Sequence, residues 1–268
     1  MKNIAVDLLW LRPGKVGGTE FYIRNLLDGF LQLDRPFGLT LLVSEDNYVT
    51  FEHYAEDIRI TLLKANVISA NIAGRILWQF FCQNRFLRKH RLHQCFIPVY
   101  CRPLFNGGIA YINTVHDLQA AHYPEYHPFH EIAYSRLCWW LDVKWSKKLI
   151  ATTQYVKSDL LERYHIREDK VEVLNIPAMV NLGEIVPFTA VSRKFNISDG
   201  TYYYTVAQMI PHKNLETLIR VMAELKKNKS HLPQRLLVSG ISGNASDSVK
   251  KLIKENQLED NVTLTGFI

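Results

Sequence analysis

Three short stretches of the 268-residue chain place charge-bearing or flexible residues where a strand gives way to a helix. The first is P-H-K, Pro211 to Lys213, between a β-rich run (Tyr202 to Ala207) and a helical pattern of Leu215, Leu218, Ile219, Met222 and Leu225. Asn214 stands where a helix N-cap belongs. Glu216 in the first turn and Lys226, Lys227 and Lys229 at the end suit the helix dipole. N–H groups at a helix start beside a Lys side chain suit a phosphate, although a βα unit of this form can equally be structural. The second stretch is R-P-G-K-V-G-G-T, which carries Gly17 and Gly18 between a strand over 3–10 and a helix from near Thr19. Glycine lets backbone approach a ligand closely, and it also simply shapes turns. The third is T-V-H-D-L, Thr114 to Leu118. His116 and Asp117 there follow a strand, and ligands of open α/β sheets bind beyond strand carboxyl ends. A His beside an Asp serves as a general base, a substrate contact or a satisfied structural pair.

The elements that must position these groups alternate between strand and helix. Phe21, Leu26, Leu27 and Phe30 mark the apolar positions of the first helix. A strand is expected at about 38–44, a polar helix near 46–56 and a strand at about 57–63. One long helix is expected over 71–91, with Ile72, Ile76, Leu77, Phe80, Phe81 and Leu87 on its apolar side and Trp78, Phe80 and Phe81 in the core. Strands near 94–99 and 109–115, a helix over 129–146, the strand K-L-I-A-T-T, a helix over 154–164 and the strand V-E-V-L follow. The stretch 177–200 loses periodicity and holds Pro177, Gly183, Pro187 and Gly200, which makes it the best boundary. A strand at 235–240, a helix near 246–257 and a strand at 261–265 close the chain. The βαβα order predicts an α/β fold with parallel sheets in two domains, 1–180 and 201–268, joined by a linker at 181–200.

Composition is that of an ordinary globular protein, 47% hydrophobic and 22% charged. The apolar start is interrupted by Asp7 and Arg12 too early for a signal peptide, and no apolar run is long enough to cross a membrane, so a cytoplasmic location is expected. Cys82, Cys95, Cys101 and Cys138 show no paired metal spacing and suggest reduced thiols. The net charge of +6 is segregated. Between Asp57 and Asp117 there is no carboxylate, against eight Lys and Arg residues, which leaves the remainder of the chain at −2. Arg75, Arg85, Arg88, Lys89 and Arg91 from this stretch form either a solvated helix face or a surface for anionic lipid headgroups or a lipid-phosphate acceptor. There is no G-x-G-x-x-G dinucleotide fingerprint and no recognised nucleic-acid motif.

Taken in order, G-G-T-E-F-Y-I-R-N-L-L, R-I-L-W-Q, T-V-H-D-L, L-I-A-T-T-Q-Y-V-K-S-D-L-L-E-R-Y-H-I-R-E-D-K-V-E-V-L, the P-H-K-N-L stretch and R-L-L-V-S-G resemble glycosyltransferase family 4 across nearly the whole chain. These are retaining sugar transferases of the GT-B fold, with two Rossmann-like domains. The chain especially resembles the mannosyltransferases and related enzymes that build bacterial O-antigens and capsules.

That resemblance implies a nucleotide-sugar donor, GDP-mannose or a UDP-sugar, with no cofactor and no metal, and a glycan or lipid-linked acceptor. It implies a peripheral contact with the inner face of the bacterial membrane. By the same resemblance Gly17 and Gly18 face the donor diphosphate, His116 positions the transferred sugar, and Lys213 neutralises the leaving group, with His212 and Gly240 as further donor contacts. Preorganised positive charge is what metal-free cleavage of a sugar–phosphate bond requires. No nucleophile is assigned.

Three departures qualify the match. His212 replaces the usual Arg before the loop lysine, and Gln208 stands where many relatives have a second Arg. The chain also ends at T-G-F-I, before the family's motif of two glutamates, so a truncated chain with little or no activity is expected. The competing readings are a non-catalytic module that binds acceptor or membrane surface, motivated by the carboxylate-free stretch, and a nucleotide-sugar epimerase or other Rossmann enzyme.

Overall fold

The computed structural model describes residues 2–15, 17–99, 102–176 and 186–266. The chain divides into two compact units, Met1–Met179 and Val180–Ile268. The first unit is built on seven strands: β1 (Lys2–Asp7), β2 (Phe37–Val43), β3 (Ile60–Lys64), β4 (Gln94–Ile97), β5 (Ala110–Val115), β6 (Lys148–Ala151) and β7 (Val171–Val173). All pair in parallel, in the order β3-β2-β1-β4-β5-β6-β7. Strand order reverses between β1 and β4, the point at which open α/β sheets bind their ligands.

Parallel strands covered on both faces carry near-continuous apolar runs, and period-2 alternation sorts them. Val6 and Leu41 pack on one face with Ile23, Leu27 and Phe30 of helix α1 (Gly18–Gln32). Ala5 and Leu42 pack on the other with Ile97, Tyr111 and Leu87. Leu87 lies in α3 (Gln83–Lys89), which follows α2 (Ile72–Phe81). Around β5 and β6 a third cluster gathers α4 (Gln119–His122), α5 (Phe129–Trp145) and α6 (Gln154–Tyr164). Thr153 caps α6 by accepting from Val156 N at 3.2 Å.

The expected helix over 71–91 is therefore two helices, and α2 is turned inside out. Its buried residue is Gln79, while Ile72, Leu77 and Phe81 are exposed, Phe81 by 65%. The cause is Asp7, a carboxylate 0% exposed at the end of β1, whose Oδ2 accepts from Gln79 Nε2 at 3.0 Å and from Gln83 Nε2 at 2.8 Å. A buried carboxyl needs hydrogen-bond partners more than α2 needs to hide its apolar stripe, and burial raises the Asp7 pKa against the opposing bonds from Leu9, Gln79 and Gln83. Trp78 does pack against the core, with its ring 5.4 Å from that of Phe86. Phe21 is also exposed, and Tyr22 and Ile23 are buried in its place. The segment expected as a polar helix near 46–56 is a 3₁₀ run, Tyr48–Glu56. Cys82, Cys95 and Cys138 are free thiols, and Cys101 lies outside the described residues.

The second unit contains α7 (Phe188–Phe195), β8 (Tyr203–Val206), α8 (Leu215–Lys227), β9 (Leu236–Ser239), α9 (Ser246–Glu255) and β10 (Val262–Gly266). Its parallel sheet runs β10-β9-β8. Leu215, Ile219 and Met222 of α8 and Val249 and Ile253 of α9 pack on the central strand β9. Helix α7 falls inside the stretch expected to be an aperiodic linker, whose residues 181–185 lie outside the described ones.

Candidate functional site

Where the strand order reverses, the loops beyond β1, β4 and β5 meet α2 and α5 around a pocket of about 520 Å³. Trp10, Arg12, Lys15 and Thr19 line it from the β1 side, Val99, His116 and Asp117 from beyond β4 and β5, Arg75, Glu131 and Tyr134 from α2 and α5, and His127 from the turn before α5. The pocket lies wholly within the first unit.

His116 follows the last residue of β5 and is fixed on three sides. Its Nε2 lies 2.8 Å from Pro98 O, and its own carbonyl accepts from Thr152 Oγ1 at 2.9 Å. Tyr22 meets the ring edge-on, with centroids 5.1 Å apart. Because a carbonyl can only accept, Nε2 carries the proton and Nδ1 keeps its lone pair, which has no partner among the described residues. Burial holds the His116 pKa below the ordinary histidine value, against the opposing pull of the Pro98 bond and of Asp117. The site therefore offers a neutral imidazole that can accept from a hydroxyl. Asp117 makes no hydrogen bond to it; Oδ1 instead accepts from Gln119 N at 3.0 Å and starts α4.

The loop after β1 is held from outside itself. Asn47, fully buried, donates through Nδ2 to Leu8 O and Leu11 O at 2.9 and 2.8 Å, and its Oδ1 accepts from Ser44 N at 2.9 Å. Glu20 of α1 accepts from Gly14 N at 2.8 Å and pairs with Arg24. Gly17 has φ 61° and ψ −131°, a backbone open to glycine, and precedes α1. Gly17 and Gly18 are both exposed, and of the G-G-T run only Thr19 lines the pocket.

Arg75 stands apart from Arg85, Arg88, Lys89 and Arg91, with which the sequence groups it. It is half-buried, lines the pocket and donates from Nη1 to Gln79 Oε1 at 3.1 Å. Gln79 thus faces Asp7 with its NH₂ group and Arg75 with its oxygen. Arg85, Arg88, Lys89 and Arg91 are exposed and stand outside the pocket lining, and Arg102 is fully buried. The run of positive charge is thereby split among core, pocket and surface. Arg12 and Lys15 lie in the R-P-G-K-V-G-G-T loop that the sequence singles out, and His127 in the turn-rich Y-P-E-Y-H-P stretch that suits a loop over a cleft, but none of them was named as a site residue, and Glu131 entered no expectation.

In the second unit, Pro211–Lys213 forms a 3₁₀ turn. Lys213 is exposed, and its side chain has no partner among the described residues; His212 is half-buried. Asn214 is not a side-chain cap: it sits at φ 51°, ψ 38°, and its Oδ1 accepts from Thr217 Oγ1 at 2.8 Å. Gly240 has φ 142°, and a Cβ there would lie 2.1 Å from Ala207 O. Gly243, which the motifs missed, has the same crowding, with a Cβ 2.4 Å from Met209 O. Both glycines let the loop after β9 press on the one after β8, where Met209 N donates to Ile241 O and Ala245 N to Met209 O.

Comparison with known proteins agrees in both units. Residues 16–177 match the family model described as Glycosyltransferase Family 4, and residues 188–268 match that of Glycosyl transferases group 1. No curated protein matches the sequence. Among solved structures, Anabaena HepE in complex with UDP and glucose aligns with a TM-score of 0.69 at 14% identity, over 100% of this chain and 70% of that one. WaaG, a glycosyltransferase involved in lipopolysaccharide biosynthesis, aligns at 0.64 and 15%, over 99% and 70%. UDP-GlcNAc 2-epimerase from Neisseria meningitidis aligns at 0.57 and 16%, over 99% and 72%. Such low identities establish the fold, GT-B, and since one fold hosts different reactions the family rests on the sequence models. The family model for residues 16–177 spans more than half of the chain, which belongs to glycosyltransferase family 4.

Proposed function

We propose that this chain transfers a hexose from a nucleotide-sugar donor to a glycan or lipid-linked acceptor with retention of anomeric configuration. The observation that carries the reading is the neutral, immobilised His116 in a pocket at the strand-order reversal, inside the segment that matches the family. In this reading His116 accepts from a hydroxyl of the transferred sugar through Nδ1. Gly17 and Gly18 admit the donor phosphates to the start of α1, and Lys213, His212 and the Gly240 loop attend the diphosphate. The anomeric C–O bond breaks and its electron pair leaves with the nucleoside diphosphate. The acceptor oxygen bonds to the same face and gives up its proton to the departing oxygen.

Motif resemblance makes GDP-mannose the leading donor, for a surface polysaccharide. The UDP and glucose bound by the Anabaena protein make UDP-glucose the competitor. Calorimetry with both donors, followed by release of GDP or UDP in the presence of a lipid-linked acceptor, tests the assignment. Tighter binding of GDP-mannose supports it, preference for UDP-glucose replaces the donor, and binding of neither removes the reading. Lys213→Ala is expected to slow turnover at least about tenfold, the scale of one lost charge-assisted contact; unchanged turnover removes the phosphate role.

A second reading, surface binding without catalysis, is favoured by the exposed Leu77 and Phe81 beside exposed Arg85, Arg88, Lys89 and Arg91. An apolar strip next to cations suits an anionic lipid surface. Among the described residues no helix is long and apolar enough to cross a membrane. Sedimentation with anionic vesicles is expected to be salt-sensitive and to weaken in Leu77→Ser/Phe81→Ser; equal partitioning to neutral vesicles removes the idea.

A further inference from the structure

The pocket gathers three cations from two separate segments, Arg12 and Lys15 beyond β1 and Arg75 on α2. Within the protein they are under-engaged. Neither Arg12 nor Lys15 has a side-chain hydrogen bond or ion pair among the described residues. Arg75 has the single bond to Gln79, and its Nε is buried without a partner. Across the pocket the buried Nε2 of His127 is likewise unpartnered. The lining holds two carboxylates against the three cations: Asp117 Oδ1 accepts from Gln119 N, and Glu131 lies 3.6 Å from His127 Nδ1, a contact that is an ion pair only when that histidine is protonated. A buried guanidinium nitrogen without an acceptor is costly, and a planar fork of donors suits a phosphate or carboxylate. The volume falls within the range of about 300 to 1,000 Å³ usual for small-ligand sites.

We infer that the acceptor bound here carries an anionic group, a phosphate or a carboxylate, seated against Arg75 with Arg12 and Lys15 closing over it. This rests on the sugar-transfer reading and specifies the class of its second substrate. Asp7 is the device behind it. Its carboxylate sets the direction of the Gln79 amide, and the amide oxygen fixes the guanidinium at the pocket wall.

The test titrates glucose 1-phosphate, glucuronic acid and glucose into the 268-residue chain by calorimetry at low salt. One anionic probe is expected to bind at least about tenfold more tightly than glucose, in line with charge-assisted hydrogen bonds, and to weaken as salt rises. Whichever anion binds better identifies the group. Arg75→Gln and Arg12→Gln are each expected to return that probe to the level of glucose. Because the Arg12 side chain makes no hydrogen bond or ion pair among the described residues, R12Q keeps the test decisive if R75Q unfolds. Equal binding of all three probes overturns the inference, as does undiminished binding in both variants. UDP or GDP binding that falls in R75Q by the same factor also overturns it, because Arg75 then serves the donor. Nucleotide sugars that bind while neither anion does sink the inference alone, whereas an anion that binds while no nucleotide sugar does sinks the transfer reading.

Discussion

Replacing Asn47 with alanine tests how the pocket loop is held. The side chain is fully buried and satisfies three main-chain groups at 2.8 to 2.9 Å: the carbonyls of Leu8 and Leu11 and the N–H of Ser44. At about 1 kcal/mol net per bond, N47A loses about 3 kcal/mol. Three backbone groups left dry raise the expected loss towards about 5 kcal/mol. All five tryptophans (Trp10, Trp78, Trp139, Trp140 and Trp145) lie in the first unit, so fluorescence during urea unfolding reports on that unit alone. The midpoint should fall at unchanged slope. Asn47→Asp keeps the acceptor for Ser44 N but loses both donated bonds and turns a carboxyl oxygen towards two buried carbonyls, so it should cost at least as much. A loss below about 1 kcal/mol for N47A would mean that water replaces the amide freely and would refute the stapling argument.

Other outcomes follow from single observations. G240A places a methyl 2.1 Å from Ala207 O at φ 142° and should destabilise the second unit by at least about 1 to 3 kcal/mol, read by amide exchange in β8 and β9; unaltered protection contradicts the close approach. His116 should titrate below 6.5 by NMR, so its contribution to stability is complete above that value and is lost as pH falls; a midpoint at or above 6.5 contradicts the burial argument. Asp46 is raised by burial but lowered further by bonds from Ser69, Ser44 and Ala70, to about 2, so its contribution is present above 3.8 and is lost as pH falls through about 2. D46N should flatten that acid limb, by a modest amount because the group is exposed. An unchanged acid limb would show that these hydrogen bonds do not favour the ionised form.

Much of the frame was legible because local signals and burial agree. The expected bounds of α6 coincide with those observed, since Thr153 caps it and the apolar spacing inside it is regular. His116 was placed by the apolar strand before it. Legibility failed where a distant partner overruled the local pattern. Nothing within residues 71–91 indicates that the polar Gln79 and Gln83 face inward, because the cause, Asp7, lies on another strand. That Arg75 stands apart from the other cations of its stretch was hidden for the same reason, its position depending on an amide oxygen that Asp7 orients. Asn47 carried no motif at all. Gly243 matters through a contact with Met209 O, which sequence spacing cannot reveal.

The joint at which strand order reverses also governs how the protein is made. β1 meets β2 over six register pairs but β4 over only two, Ala5 with Cys95 and Val6 with Phe96. During synthesis the half-sheet β3-β2-β1 is complete once Lys64 has emerged, whereas the other edge of β1 waits for Gln94. At roughly 5 to 20 residues per second this open edge persists for roughly 2 to 6 s, a template for unwanted strand pairing in the nascent chain. The pocket sits on this late seam and needs residues as far along as Ser135 and Trp139. Its first ability to hold a ligand therefore comes after the seam has closed, once Trp139 has emerged, which makes ligand capture by arrested nascent chains of increasing length a clock for completion of the pocket.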